Sequence, residues 1–99
     1  MGEMAKKKSI ITDDLEHCIE CGRSPVQLHH IFGGNKWRQI SDSDGLIIPL
    51  CFEHHTGSDK AIHFNKAMDL KWKKWGQLCW EEHHPGESFL KKYGKNYVY

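Results

Sequence analysis

The chain has no run of about 18 apolar residues and no export signal, so neither a membrane-spanning helix nor a secretory route is expected. A soluble, cytoplasmic protein with no membrane partner is the expectation. Internal repeats are absent too, which excludes a solenoid or an array. A large core is lacking: 99 residues of which 38% are hydrophobic make one domain near the size at which apolar burial alone is marginal. A metal staple would be a natural supplement. Net charge is nearly absent at +1, but the balance conceals an asymmetry. Between residues 9 and 59 there are three basic residues (Arg23, Lys36, Arg38) against eight acids; from residue 60 onward there are eight lysines against four acids. The basic half can face a polyanion, or it can be a solvated lysine-rich helix face.

What is present is an unusual supply of soft ligands: four cysteines and eight histidines. Without an export signal, metal ligation is a better reading of the cysteines than disulfides. Cys18-Ile19-Glu20-Cys21-Gly22 reads as a knuckle, with a glycine after the second thiol to permit the tight turn. Redox motifs share the Cys-x-x-Cys spacing. Its weight comes from Cys51-x-x-His54, with 29 residues between Cys21 and Cys51. Two chelating pairs at that separation match a tetrahedral structural Zn²⁺ site made of Cys18, Cys21, Cys51 and His54. Neighbouring helical residues point about 100° apart. His54 and His55 therefore cannot serve one small ligand set, and two sites back to back are expected, one structural and one chemical.

In chain order, residues 1–9 read as a disordered basic tail and residues 10–99 as one α+β domain. Val26 to Phe32 reads as a strand carrying His29-His30, stopped by Gly33-Gly34. Asn35 to Asp44 is polar and reads as a loop, closed by the turn signature Asp42-Ser43-Asp44-Gly45. A second strand over Leu46 to Ile48 is ended by Pro49, which cannot donate to a ladder. A short helix follows from Cys51 and breaks at Thr56-Gly57-Ser58-Asp59. A longer helix is predicted from near Ala61, capped by Ser58 or Asp59, to about Glu82. Phe64, Ala67, Met68, Trp72, Trp75, Leu78 and Cys79 form its core stripe, with Cys79 a buried, inert thiol. A last short helix runs from Glu87 or Ser88 to Tyr93, stopped by Gly94.

These residues resemble an HNH endonuclease, and Pro49-Leu50-Cys51-x-x-His54-His55 followed by His63 is similar to the phage and prophage recombination-enhancement type. The resemblance covers roughly residues 18–97, with its specific motifs between 18 and 66. It implies a zinc-stapled ββα-metal finger, treble-clef-like, over residues 10–60, with a C-terminal helical extension over 61–99. It implies metal-dependent hydrolysis of DNA phosphodiester bonds, with possible phage recombination or packaging partners in the host cell. His30 would be the general base, and His29, His55 and His63 would hold one catalytic divalent metal (Mg²⁺, Mn²⁺, Ni²⁺ or Zn²⁺). Two positions depart from the family pattern. Where asparagine is common before the helix cysteine, Asp44 or Gly45 stands, and Asp44 can accept a bond from His30 and raise its basicity. The last metal ligand falls on His63, with Asp59 as the alternative. Lys36, Trp37 and Arg38 would face the nucleic-acid backbone, or form an ordinary exposed loop. The competing readings are a non-catalytic zinc-dependent nucleic-acid- or protein-binding module and a metal-storage protein; three spaced histidine motifs argue against storage.

Overall fold

The computed structural model describes residues 8–33 and 35–98, with residues 35 and 36 described through their backbone alone. Strand β1 (Gln27–His30) pairs antiparallel with β2 (Ile47–Leu50), and helix α1 (Asn35–Ser43) joins them. One turn of π-helix (Glu53–Gly57) follows β2, and then come α2 (Lys66–His83) and α3 (Phe89–Tyr93). The architecture is a two-stranded sheet with helices, a small α+β fold. None of its helices is long and apolar enough, among the described residues, to cross a membrane.

Pro49 lies inside β2 and does not end it. It faces Leu28 across the sheet, while Ile31 N donates to Leu46 O at 3.0 Å. In that alternation, residues 47 and 49 turn their backbone groups away from β1. The outward carbonyls are used: Ser9 Oγ donates to Ile47 O at 2.7 Å, and Ile19 N donates to Pro49 O at 2.9 Å. A proline at that outer edge removes no ladder bond. All four β2 residues are buried. Residues 1–7 of the expected tail lie outside the described residues, but Ser9 is held in place. Beside it, Ile10 N donates to Gly45 O at 2.9 Å.

The segment expected as a loop is helix α1. Trp37, Ile40 and Ser41 turn inward at spacings of three and four, and Arg38 and Gln39 stay exposed. The turn signature at its end is a helix stop: Leu46 N donates to Ser41 O at 2.8 Å, Gly45 N to Asp42 O at 3.3 Å, and Gly45 has φ 75°. That is the six-to-one and five-to-two bonding of a glycine C-cap. The buried Ser41 hydroxyl donates to Leu46 O and accepts from Phe32 N, stitching both strands to α1.

Helix α2 starts later than expected, at Lys66, with Asn65 Oδ1 accepting from Met68 N. Ser58, expected as a cap, instead donates to Glu53 O and accepts from Lys60 N. Its buried residues are Gly76, Gln77 and Trp80, whereas Phe64, Trp75 and Leu78 are exposed and Cys79 is half-buried. Of the predicted stripe, Met68 and Trp72 pack against the core, while farther along the helix the packed face runs one residue beyond it. Trp80 and Phe89 are fully buried with Ile31, Leu46 and Ile48. Helix α3 matches the expectation, with Ser88 Oγ accepting from Lys91 N and Gly94 (φ 76°) closing it.

Candidate metal centres and cleft

The knuckle is built by local bonds. Cys18 N donates to Arg23 O at 2.8 Å and Gly22 N to Cys18 O at 2.7 Å, with Gly22 at φ 80°. Through Ile19 N on Pro49 O, it is fastened to β2, whose end delivers Cys51. The ligand atoms of Cys18, Cys21, Cys51 and His54 all lie within 4.8 Å of one another. Cys21 Sγ is 3.6 Å from Cys51 Sγ, and His54 Nδ1 is 3.7 Å from Cys18 Sγ and 3.4 Å from Cys51 Sγ. A tetrahedron with metal–sulfur bonds of about 2.3 Å has sulfur–sulfur edges of about 3.8 Å, so the group can hold a structural metal such as zinc. No disulfide competes, since all four cysteines are free. Burial pushes the Cys18 thiol up, but the amides of Cys51, Glu20 and Cys21 outweigh it and bring it down to about 7. Such a thiol is ready to give the thiolate that metals take.

His54 and His55 diverge at the π-turn, as adjacent residues there must, and His55 joins a second group. The ligand atoms of His29, His55 and His63 also lie within 4.8 Å of one another. After the π-turn the chain doubles back, with Ile62 N donating to His54 O at 2.7 Å, which brings His63 beside His55. His55 Nδ1 donates to Gln27 Oε1 at 2.7 Å, leaving its Nε2 as a lone pair. That Nε2 is 3.1 Å from His63 Nε2. His29 Nε2 is buried with no hydrogen-bond partner among the described residues. Burial, then the neighbouring His63 and His55, push the His29 pKa down to about 3, so its imidazole is neutral. Burial also lowers His55, followed by His63. Three imidazoles gathered on one point, one of them with a buried nitrogen that has no hydrogen-bond partner among the described residues, suit a cation better than they suit one another. Metal–nitrogen bonds of about 2.1 Å give nitrogen–nitrogen edges of about 3.0–3.4 Å, which matches the His55–His63 approach. Asp59, the alternative last ligand, is not in the group.

His29 and His30 are successive residues at the end of β1, where alternation would turn them to opposite faces, yet both line one cleft. His30 Nε2 is 3.2 Å from Asp42 Oδ1. The expected partner, Asp44, is elsewhere: it accepts from Trp80 Nε1 and Tyr93 OH, both at 2.8 Å, and from Lys92 Nζ at 3.0 Å. Asp44 caps the end of α1 and is turned toward α2 and α3, so it ties helices together and does not orient His30. Asp44, expected beside His30 in the catalytic set, is therefore not among the residues lining the histidine cleft. One cleft of about 340 Å³ is lined by His29, His30, His55 and His63, together with Arg38.

Two residues of the site escaped sequence reading. Gln27 lies two before His29 on the same strand, hence on the same face, a signal of period two. Asp42 follows Arg38 by four, one face of α1, a signal that a loop reading hides. The side chain of Lys36 lies outside what is described; Arg38 lines the cleft, and Trp37 is half-buried with its ring 6.2 Å from that of Tyr93. Comparison of the chain with protein-family models, with curated proteins and with solved structures finds no match to any of them.

Proposed function

We propose that the protein is a metal-dependent endonuclease that hydrolyses DNA phosphodiester bonds, with β1, β2 and the π-turn serving as a ββα-metal finger. The observation that carries the reading is the group of His29, His55 and His63, in which His29 Nε2 is buried with no hydrogen-bond partner among the described residues, in a cleft also lined by His30 and Arg38. His29, His55 and His63 would hold one divalent ion. When bound, it supplies Lewis-acid neutralisation of charge on the scissile phosphate and on the departing oxygen.

The chain's own residues do the rest. His30 takes the proton from the attacking water, and Asp42 holds its ring and stabilises the imidazolium that forms. Arg38, with its planar fork of donors, binds phosphate oxygens on the other wall of the cleft. Gln27 fixes the His55 tautomer. The Cys18, Cys21, Cys51 and His54 group does no chemistry; a zinc there fixes the position of His55 relative to β1.

The test is a nicking assay with zinc-loaded protein, supercoiled plasmid and single-stranded DNA, run with magnesium, manganese or nickel. His30→Ala should lower the rate at least about 100-fold, with folding and zinc content unchanged. Asp42→Asn should lower it about tenfold. Undiminished cutting by His30→Ala overturns the mechanism, and no cutting by the wild type under any metal leaves a zinc-dependent nucleic-acid-binding module.

A further inference from the structure

Beside the histidine cleft lie two more, and Gly33 lines all three. The middle one, about 350 Å³, continues from His29 and His63 past Lys66 to Lys73. The far one, about 240 Å³, starts at Lys73 and is walled by Trp37, Tyr97 and Lys95. Its aromatic walls are set by packing. Tyr97 is pinned through its backbone N on Gln77 Oε1 at 2.7 Å and by its ring 5.4 Å from Phe32. Gly94 is the stop of α3, and a Cβ there would come within 3.4 Å of the Trp37 ring, so the indole and the α3 stop lie against each other. Lys73 and Lys95 place their ammonium groups 5.6 and 5.4 Å from the centre of the Tyr97 ring. Lys73 is also paired with Asp69 at 2.9 Å.

We propose that this far pocket receives one unpaired nucleobase of the strand being cut, so that the substrate is DNA with unpaired nucleotides beside the scissile phosphate. The inference rests on the nuclease reading, which makes a nucleic-acid strand the ligand. Three observations support it. Aromatic walls with flanking ammonium groups are the combination by which single strands are held, base on ring and phosphate on cation. The volume is below that of pockets for drug-sized ligands, suiting one ring system. Gly33 lines all three pockets and Lys73 the middle and far ones, so the far pocket neighbours the histidine cleft by way of the middle one. A base paired inside a duplex cannot enter it without leaving its stack.

Equilibrium binding, read by fluorescence anisotropy without added magnesium, tests this on three labelled oligonucleotides: a single strand, a blunt duplex, and a duplex with a short unpaired gap. Zinc-loaded wild-type protein should bind the single strand and the gapped duplex about tenfold more tightly than the blunt duplex. Trp37→Leu and Tyr97→Leu should remove that preference and leave blunt-duplex binding within twofold. Lys95→Ala, on an exposed side chain outside the buried core, should weaken unpaired substrates about threefold and guards against misfolded aromatic variants. Equal or tighter binding of the blunt duplex overturns the proposal, as does an equal loss on all three oligonucleotides. Cutting of blunt duplex with no preference for gaps would sink the pocket and leave the nuclease. Preference for unpaired strands with no cutting would sink the nuclease and leave the pocket.

Discussion

At Asp44 a single carboxylate receives an indole N–H, a phenol O–H and an ammonium, one from α2 and two from α3. Burial opposes its ionisation, but the bonds from Lys92, Tyr93 and Trp80 win and hold it below the usual carboxylate range. Burial, and then the same carboxylate, pushes the Tyr93 phenol up. Asp44→Ala strands two buried donors and should cost about 3 kcal/mol at pH 7, measured by urea unfolding. A carboxyl with a depressed folded pKa contributes stability that is present above its unfolded value, near 3.8. That stability is lost as pH falls through the folded value. The gap between wild type and variant should therefore narrow below about pH 4, and a gap unchanged from pH 7 to pH 3 would refute the ionised network. Gln27 offers the opposite case, a side chain that is exposed and whose effect is local. Gln27→Ala frees the His55 ring to turn or change tautomer, and affinity for manganese at the three-histidine group should fall about tenfold. Titration calorimetry reads that loss, and the melting temperature should not move.

The π-turn shows how an element sets the site. Residues 53–57 wind more widely than an α-helix, and it is this turn and its return that send His54 to the thiols and His55 to His63. It depends on Gly57: a Cβ there would lie 2.4 Å from the Phe52 ring and 3.0 Å from Phe52 O. Gly57→Ala should destabilise by about 1–2 kcal/mol. Because the Phe52 side chain is exposed, Phe52→Ala should recover part of that loss in the double variant, and strictly additive effects would place the strain in the backbone. Elements differ in how far they were legible in the chain. The knuckle, the division of His54 from His55, and the Ser88 and Gly94 ends of α3 each depend on a few residues close in sequence, and those are readable. Helix α1 was hidden because its inward face is Trp37, Ile40 and a serine, too polar for periodicity to register. The stop signal at Gly45 is legible in the sequence; the helix it closes is not. The α2 stripe starts from Phe64, which belongs to the turn before the helix. It shares Met68 and Trp72 with the packed face, but beyond Trp72 that face runs through Gly76 and Trp80, about one residue, or 100°, from Trp75 and Cys79. The resemblance places Asp44 beside His30 because it stands where the family commonly has asparagine, whereas its partners come from residues 80 to 93.

For the molecule as a whole the question is what holds a 99-residue domain whose sheet has two strands. Its core is one cluster running from Cys18 and Cys51 through Leu46, Ile48 and Leu50 to Trp80, Phe89 and Tyr93. Cys18 and Cys51 are both core members and part of the group that can hold a metal, so a metal bound there and the apolar packing would form a single unit. Structural zinc supplies about 10 kcal/mol or more in finger peptides, comparable with the entire stability of a small domain. Stripping the metal should therefore unfold the protein, and a chelator should abolish the cooperative melting transition. The histidine group is expected to behave otherwise, since His63 is exposed. His63→Ala should bind one divalent ion fewer, lose cutting, and melt within a few degrees of wild type. Cys21→Ala separates the two cleanly, because Cys21 is an exposed ligand whose loss removes no packing. Its melting temperature should fall by well over 10 °C, and added zinc at high concentration should restore part of the loss by mass action. Circular dichroism melts with zinc content measured alongside give both readouts. A Cys21→Ala protein as stable as wild type would mean that the apolar cluster folds the chain unaided and that the four ligands are an accessory.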